Sequence, residues 1–311
     1  MTENPNSYDI IIIGAGPAGM TAAVYCARGG AKTLVFGGIA PGGQLLMTTE
    51  IENFPGFPKP VAGPDLMQNM LNQAKRLGAE VIHEEAADVK FDKKPYEITS
   101  AGENSFYCKA VIIASGARAR WLNLESEQKF IGKGVSACAT CDGAFFRNKE
   151  VCVIGGGDTA AEDAVFLTKF AARVYLIHRR DKLRTAYRLQ ERLKNPKIEL
   201  VYDSVLEQVM GDKKVSGVKI KNVKTGQIRE IPAQGVFIAI GHEPETKLFR
   251  DSLKTDEKGY ILTDGKTRTS IEGVFAAGDV ADPLYKQAVI ASGTGCMAAL
   301  EALKYIENTT T

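Results

Sequence analysis

The stretch Asp9-Ile10-Ile11-Ile12-Ile13-Gly14-Ala15-Gly16-Pro17-Ala18-Gly19 decides the fold. Its four isoleucines are apolar, β-branched and unbroken by any polar alternation, the pattern of a strand buried on both faces of a parallel sheet. Three glycines follow at once, then a helical stretch from Met20 to Arg28, a Gly-Gly break and a second strand over Lys32 to Phe36. Strand, glycine turn, helix and strand make a dinucleotide-binding unit. In it Gly14 forms the tight turn, Gly16 lets the backbone approach a pyrophosphate, and Gly19 lets helix and strand pack closely. Ala15 and Pro17 complete the turn at the helix N-terminus, the end that faces phosphate charge.

The device returns 141 residues later. Val151-Cys152-Val153-Ile154 reads as a strand, Gly155-Gly156-Gly157-Asp158-Thr159-Ala160 as the turn, the stretch from Glu162 to Lys169 as a helix, and Val174 to Ile177 as the next strand. Each copy closes on an apolar strand ending in glycine, Val111 to Gly116 with Ala114 near its end, and Val236 to Gly241. The repeat predicts an α/β fold of two Rossmann-like domains and two bound nucleotides. About seventy residues follow Pro244, too few for a third such domain, and their Gly273-Val274-Phe275-Ala276-Ala277-Gly278-Asp279 reads as a strand completing the first module. The expected organisation is therefore 1–117 and 245–311 as one domain, with 118–244 inserted into it.

A formal charge of +2 gives no electrostatic case for nucleic acid or a membrane surface, so small molecules or a protein are the expected partners. No run of 18 apolar residues is present, and the segment before Asp9 lacks the basic and apolar regions of a signal peptide, so cytoplasmic operation is the expectation. Of six cysteines, Cys26, Cys108, Cys152 and Cys296 stand singly and read as core residues. Cys138-Ala139-Thr140-Cys141 is the close pair, which means redox chemistry or metal. Zinc would need four ligands, and neither a second pair nor a nearby histidine exists, which favours redox and no metal site.

Charge selects the nicotinamide cofactor. An NAD site wants an acid at the end of the second strand of its unit, whereas the chain arrives there at His178-Arg179-Arg180, with Arg184 one turn beyond. Guanidinium groups suit the 2′-phosphate of NADPH; a solvated basic turn is the bland alternative. Asp142 sits badly as a thiol activator, since a carboxylate disfavours the thiolate. Proton handling is its useful role, against the plain reading of a turn residue before Gly143.

Taken together these segments resemble the low-molecular-weight thioredoxin reductases over essentially the whole chain. The matching elements are Gly14 to Gly19, Gly42-Gly43-Gln44, Ile51 to Gly56, Ser115-Gly116-Ala117, Ser136 to Gly143, Gly155 to Ala160, His178-Arg179-Arg180, Gly241-His242-Glu243-Pro244, Gly273 to Asp279, Tyr285-Lys286-Gln287-Ala288 and Gly295 to Leu300. The resemblance implies that the first and last segments hold FAD and the middle one NADPH. Electrons then pass from NADPH through FAD to the Cys138–Cys141 disulfide and on to thioredoxin or a thioredoxin-like protein, with a large domain rotation between half-reactions. It assigns Cys141 to the flavin side, Cys138 to attack on the protein substrate and Asp142 to acid–base work, and it implies a homodimer. For FAD it points also to Phe36, Gly37, Leu45 and Asn53, to Gly278 and Asp279 at the ribityl or ribose hydroxyls, and to Lys286, Gln287 and Ala288 near the flavin ring.

Three positions depart from the pattern. No carboxylate stands near Val35-Phe36-Gly37, where one would hold the ribose hydroxyls, so backbone groups of 36–43 are expected to take the adenosine end. Asp158 stands where many relatives have asparagine, and a carboxylate there repels a pyrophosphate unless it points away; a residue favoured by the helix dipole is the plainer reading. Lys286 replaces arginine, keeping charge without the bidentate fork. A glutathione-reductase-like enzyme would need its cysteine pair by the first fingerprint and a C-terminal histidine, yet the histidines are His83, His178 and His242. The reductase of another small disulfide protein is a second reading; with a first strand reached by Asp9, no extra N-terminal thiol domain is expected. A non-enzymatic flavin and NADPH sensor would not need Cys138, Cys141 and Asp142 together.

Overall fold

The computed structural model describes residues 4–48 and 50–309. The chain forms two compact units, one from its two ends, up to Arg118 and from Glu243 on, the other from Ala119–His242.

In the first unit four parallel strands run in the order Glu80–Ile82, Thr33–Phe36, Ser7–Ile13, Ser105–Ile113. Ile10 pairs with both Thr33 and Ala110, so the isoleucine run lies in the sheet centre. Ile10 and Ile12 enter the core on one face while Ile11 and Ile13 enter the core on the other. That alternation is the physical reason the run is apolar throughout, and burying its four side chains contributes on the order of 6–12 kcal/mol before chain entropy is counted. The strand Val274–Ala276 joins the sheet parallel to Ser105–Ile113, with Val274 opposite Val111, so the C-terminal stretch completes the first module's sheet. Tyr96–Ser100 pairs antiparallel with the other half of Ser105–Ile113, and Ala86–Lys90 lies beyond it. This hairpin is not among the elements expected from the sequence. On the first face the helices Pro17–Arg28 and Ala288–Thr309 cross so closely that a Cβ on Gly295 would lie 2.1 Å from the Ala18 carbonyl oxygen.

The second unit holds five parallel strands in the order Ile198–Val201, Arg173–Ile177, Glu150–Ile154, Gly235–Ile238, Val135–Ser136. The helix Asp158–Leu167 packs Ala160, Ala161, Ala164 and Leu167 on one face. An antiparallel meander of Ser204–Gly211, Val215–Asn222 and Ile228–Pro232 covers the other through Leu206, Val209, Val218, Ile220 and Ile231. No periodicity in 204–232 announces this meander. The first helix begins at Pro17 and the fingerprint helix of the second unit at Asp158, ahead of the expected Met20 and Glu162, and the strand expected from Val111 begins at Ser105.

Candidate functional site

In the first unit, backbone crowding dictates the glycines. Gly14 has φ +111°, and a Cβ there would lie 2.3 Å from the Ala114 carbonyl oxygen; one on Gly19 would lie 1.9 Å from the Gly14 oxygen. Gly16 differs: it caps the helix in an extended conformation and has nothing within 4 Å of its Cβ position. Among the described residues no packing partner requires glycine there, and the open space adjoins Ala15, Pro17 and the free amides of the helix N-terminus. Gly43 approaches this turn, its Cβ position 3.3 Å from the Gly16 Cα, and Gly116, at φ +77°, also faces open space. Such a cradle fits a dinucleotide pyrophosphate.

The remaining first-unit residues gather around it. Gly278 packs on Ala18, and Asp279 follows, its carboxyl pushed up to about 6 by burial against the opposing pull of Lys286. Lys286 takes a left-handed φ of +48° and its ammonium donates to the Pro283 carbonyl. Asn53 Nδ2 donates to Gln287 Oε1 at 3.2 Å across 234 residues of sequence, and Gln44 Nε2 donates to the Ala117 carbonyl, so these segments meet. Ala288 begins the C-terminal helix and Leu45 packs from the turn 43–47 onto the core, with Gly42 before it at φ +144°. Two details narrow what the adenosine end can use. The Phe36 side chain is 2% exposed and stacks edge-on against Phe106, so only its backbone faces the turn, where its carbonyl accepts from Gly14 N. The Gly37 and Gly38 amides already donate to the carbonyls of Ile82 and Glu84.

The second unit repeats the geometry. A Cβ on Gly155 would lie 2.3 Å from the Ala239 oxygen, and one on Gly156 would strike the His178 ring at 2.1 Å, whereas Gly157 has open space around it and leads into Asp158 and Thr159. His178 is therefore buried beneath the turn, not set out among the arginines. Burial lowers its pKa, and Arg184, Arg180 and Arg179 lower it further. Those three arginines are exposed, and among the described residues none of them forms an ion pair. Asp158 points away from the turn: its Oδ1 accepts from Thr185 Oγ1 at 2.7 Å and from the Ala186 amide at 3.0 Å.

Within the same unit Cys138 and Cys141 form a disulfide, with Cα atoms 5.3 Å apart. Cys138 caps the short helix Ala139–Asp142 and both cysteines are half-buried. Ser136, at the end of an edge strand, receives the Cys138 amide on its hydroxyl at 3.0 Å and also hydrogen-bonds the Asp142 carboxyl. Burial raises the Asp142 pKa above the usual carboxylate range while the Ser136 bond opposes it. In the sequence, the only signal of this role for Ser136 is its position two residues before the first cysteine. Phe145, three residues past Asp142 in the chain, is an exposed aromatic. Cys26, Cys108 and Cys152 are buried core thiols, while Cys296 is half-exposed and hydrogen-bonds Tyr25. Among the described residues no cluster of His, Cys, Asp or Glu suits a metal ion.

Residues 8–295 match the pyridine nucleotide-disulphide oxidoreductase family. Over 302 residues the chain is 50% identical to a thioredoxin reductase of Rickettsia conorii, covering 96% of this chain and 97% of that one. A thioredoxin reductase of Streptomyces coelicolor is 49% identical over 301 residues, 96% of this chain and 94% of the relative. Among solved structures, thioredoxin reductase from Giardia duodenalis superposes with a TM-score of 0.93 at 43% identity, covering 97% of this chain and 99% of that chain. Lactococcus lactis thioredoxin reductase, described as in an FR conformation, gives 0.65 at 44% identity, covering 97% and 99%.

Proposed function

Because the chain belongs to the pyridine nucleotide-disulphide oxidoreductases, and within them to the thioredoxin reductases, we propose that it reduces the disulfide of thioredoxin or a thioredoxin-like protein at the expense of NADPH. The observation that carries this is the Cys138–Cys141 disulfide in the unit that also holds the arginine-flanked fingerprint. FAD fits the first unit's cradle at Gly14, Gly16, Gly19, Gly43 and Gly116, with Asp279, Lys286 and Gln287 toward its ring and ribityl chain. NADPH fits Gly155, Gly157 and the exposed Arg179, Arg180 and Arg184. Bound FAD supplies the two-electron exchange between the nicotinamide hydride and the disulfide.

The chain's own residues handle the rest. Opening Cys138–Cys141 takes two electrons and leaves sulfurs that need protons. Asp142, its pKa raised by burial and its carboxyl hydrogen-bonded to Ser136, is the group placed to deliver a proton to the departing thiolate. The Cys138 thiolate then attacks the partner's disulfide, one S–S bond forming as another breaks, and the partner's leaving sulfur takes a proton. Attack of Cys141 on Cys138 Sγ releases the reduced partner and restores the disulfide. Phe145 offers that partner an apolar contact.

Rotation of one unit against the other between half-reactions is part of the reading. Relatives at 43% and 44% identity superpose at 0.93 and 0.65, a spread that supports more than one arrangement of units within this family. A homodimer is proposed on the exposed Val289, Met297 and Leu300 along the helix Ala288–Thr309, with Tyr25 beside them. Among the described residues no helix is long and apolar enough to cross a membrane. Cytoplasmic operation is proposed with it, in keeping with four unpaired cysteines.

The test is steady-state NADPH oxidation by the flavin-loaded protein, with and without oxidised thioredoxin. Stoichiometric appearance of thioredoxin thiols is expected, and oxidation indifferent to thioredoxin would contradict the proposal.

A further inference from the structure

The loop 184–186 is tied to the fingerprint turn at three consecutive residues. The Arg184 amide donates to the Gly156 carbonyl at 2.8 Å, Thr185 Oγ1 donates to Asp158 Oδ1 at 2.7 Å, and the Ala186 amide donates to the same oxygen at 3.0 Å. Gln190 Nε2 holds the Thr185 carbonyl from behind at 2.8 Å. Asp158 thus joins the first turn of its helix to a loop 27 residues on. A carboxylate at that helix position would repel a pyrophosphate if it faced the turn, and the two donors hold one of its oxygens toward the loop. An arginine side chain is long and rotamer-rich, so where its guanidinium can reach depends on how firmly its backbone is held.

We infer that Asp158 is a positioning residue for nucleotide choice: it clasps the 184–186 loop to the fingerprint so that Arg184 is presented to the 2′-phosphate of NADPH. The inference rests on the NADPH reading above. It separates two jobs that one fingerprint performs, since Gly157, with open space around it, faces the pyrophosphate common to both nicotinamide cofactors, while Asp158 acts on the group that distinguishes them.

The test is calorimetric binding of 2′,5′-ADP and of 5′-AMP to the flavin-loaded protein and its variants. Asp158→Ala removes both acceptor contacts and is expected to weaken 2′,5′-ADP roughly tenfold while 5′-AMP stays within about twofold. Asp158→Asn keeps an oxygen acceptor for Thr185 and Ala186 and is expected to hold 2′,5′-ADP within about threefold of wild type. Thr185→Val, which deletes one donor and leaves Asp158 in place, is expected to cost 2′,5′-ADP about threefold and to spare 5′-AMP. Equal weakening of both ligands by Asp158→Ala would mean that the carboxylate serves the helix or the turn as a whole, and would overturn the inference. So would an Asn variant as weak as the Ala variant. A wild-type preference for 2′,5′-ADP that survives both Asp158→Ala and Thr185→Val overturns this inference alone. A wild-type protein without that preference overturns the NADPH reading and the clasp together.

Discussion

Gly14 and Gly16 share one turn and should respond oppositely to the same methyl group. At Gly14 the added Cβ meets backbone, 2.3 Å from the Ala114 oxygen and 2.6 Å from its carbonyl carbon, at a φ of +111° that an alanine rarely adopts. Neither contact can be relieved by a side-chain rotation. The left-handed backbone contributes about 1–2 kcal/mol and the overpacking about 1–3, so Gly14→Ala should lose roughly 3 kcal/mol of folding stability. At Gly16 the backbone is at φ −73°, ψ −173°, ordinary for alanine, and nothing lies within 4 Å of the new methyl. Deflavinated Gly16→Ala should therefore unfold within about 1 kcal/mol of wild type, the loss of unfolded-chain entropy offsetting a slightly poorer cap. The methyl instead occupies space into which a pyrophosphate must come, and FAD affinity should fall roughly 10–100-fold. Urea unfolding of the deflavinated proteins and fluorescence titration with FAD separate the two effects. A Gly16→Ala protein that binds FAD like wild type would refute the reasoning, as would one destabilised as much as Gly14→Ala.

Two further outcomes follow from charge. Arg179→Ala combined with Arg180→Ala should raise the KM for NADPH roughly 10–100-fold while kcat and the KM for NADH hold, because a phosphate contact binds ground and transition states alike; steady-state kinetics with both nucleotides reads this. Asp163, on the helix Asp158–Leu167, has its carboxyl pushed up to about 7, chiefly by burial and secondarily by Glu162. A folded-state pKa above the unfolded one means that the native protein binds the extra proton, so stability falls as pH rises from about 4 to about 7. Asp163→Asn should flatten that dependence and stabilise the protein at pH 8 by about 2 kcal/mol, checked by urea unfolding at pH 5 and pH 8.

What was legible in the sequence was local. The Ile10–Ile13 run and the two glycine turns carry their geometry within a dozen residues, because a buried parallel strand and a tight turn each impose a residue type at each position. The strand Val274–Ala276 was assigned to the first sheet by elimination, since an orphan apolar strand must find an edge, and it pairs with Ser105–Ile113. The antiparallel meander 204–232 escaped because register shifts between Leu206 and Gln208 and between Met210 and Gly211 interrupt the alternation of its apolar positions, although two of its strands run eight residues. Contacts between distant residues escaped for a different reason. Asp158 with Thr185, Asn53 with Gln287 and the Gly38 amide with the Glu84 carbonyl are consequences of topology, and no spacing rule anticipates them. His178 looked like a member of the basic cluster because it adjoins Arg179. The strand's alternation turns it inward instead, onto the open face of Gly156.

The central claim is that electrons leave through Cys138 and Cys141, and single serine substitutions test it most directly. Cys138→Ser and Cys141→Ser, each loaded with FAD, would be mixed rapidly with NADPH under anaerobic conditions and assayed in parallel for thioredoxin reduction. Both variants are expected to bleach the bound flavin's absorbance at the wild-type rate and to reduce thioredoxin at less than about a thousandth of the wild-type turnover, since neither can form the internal disulfide. Either variant sustaining wild-type turnover with thioredoxin would contradict the account.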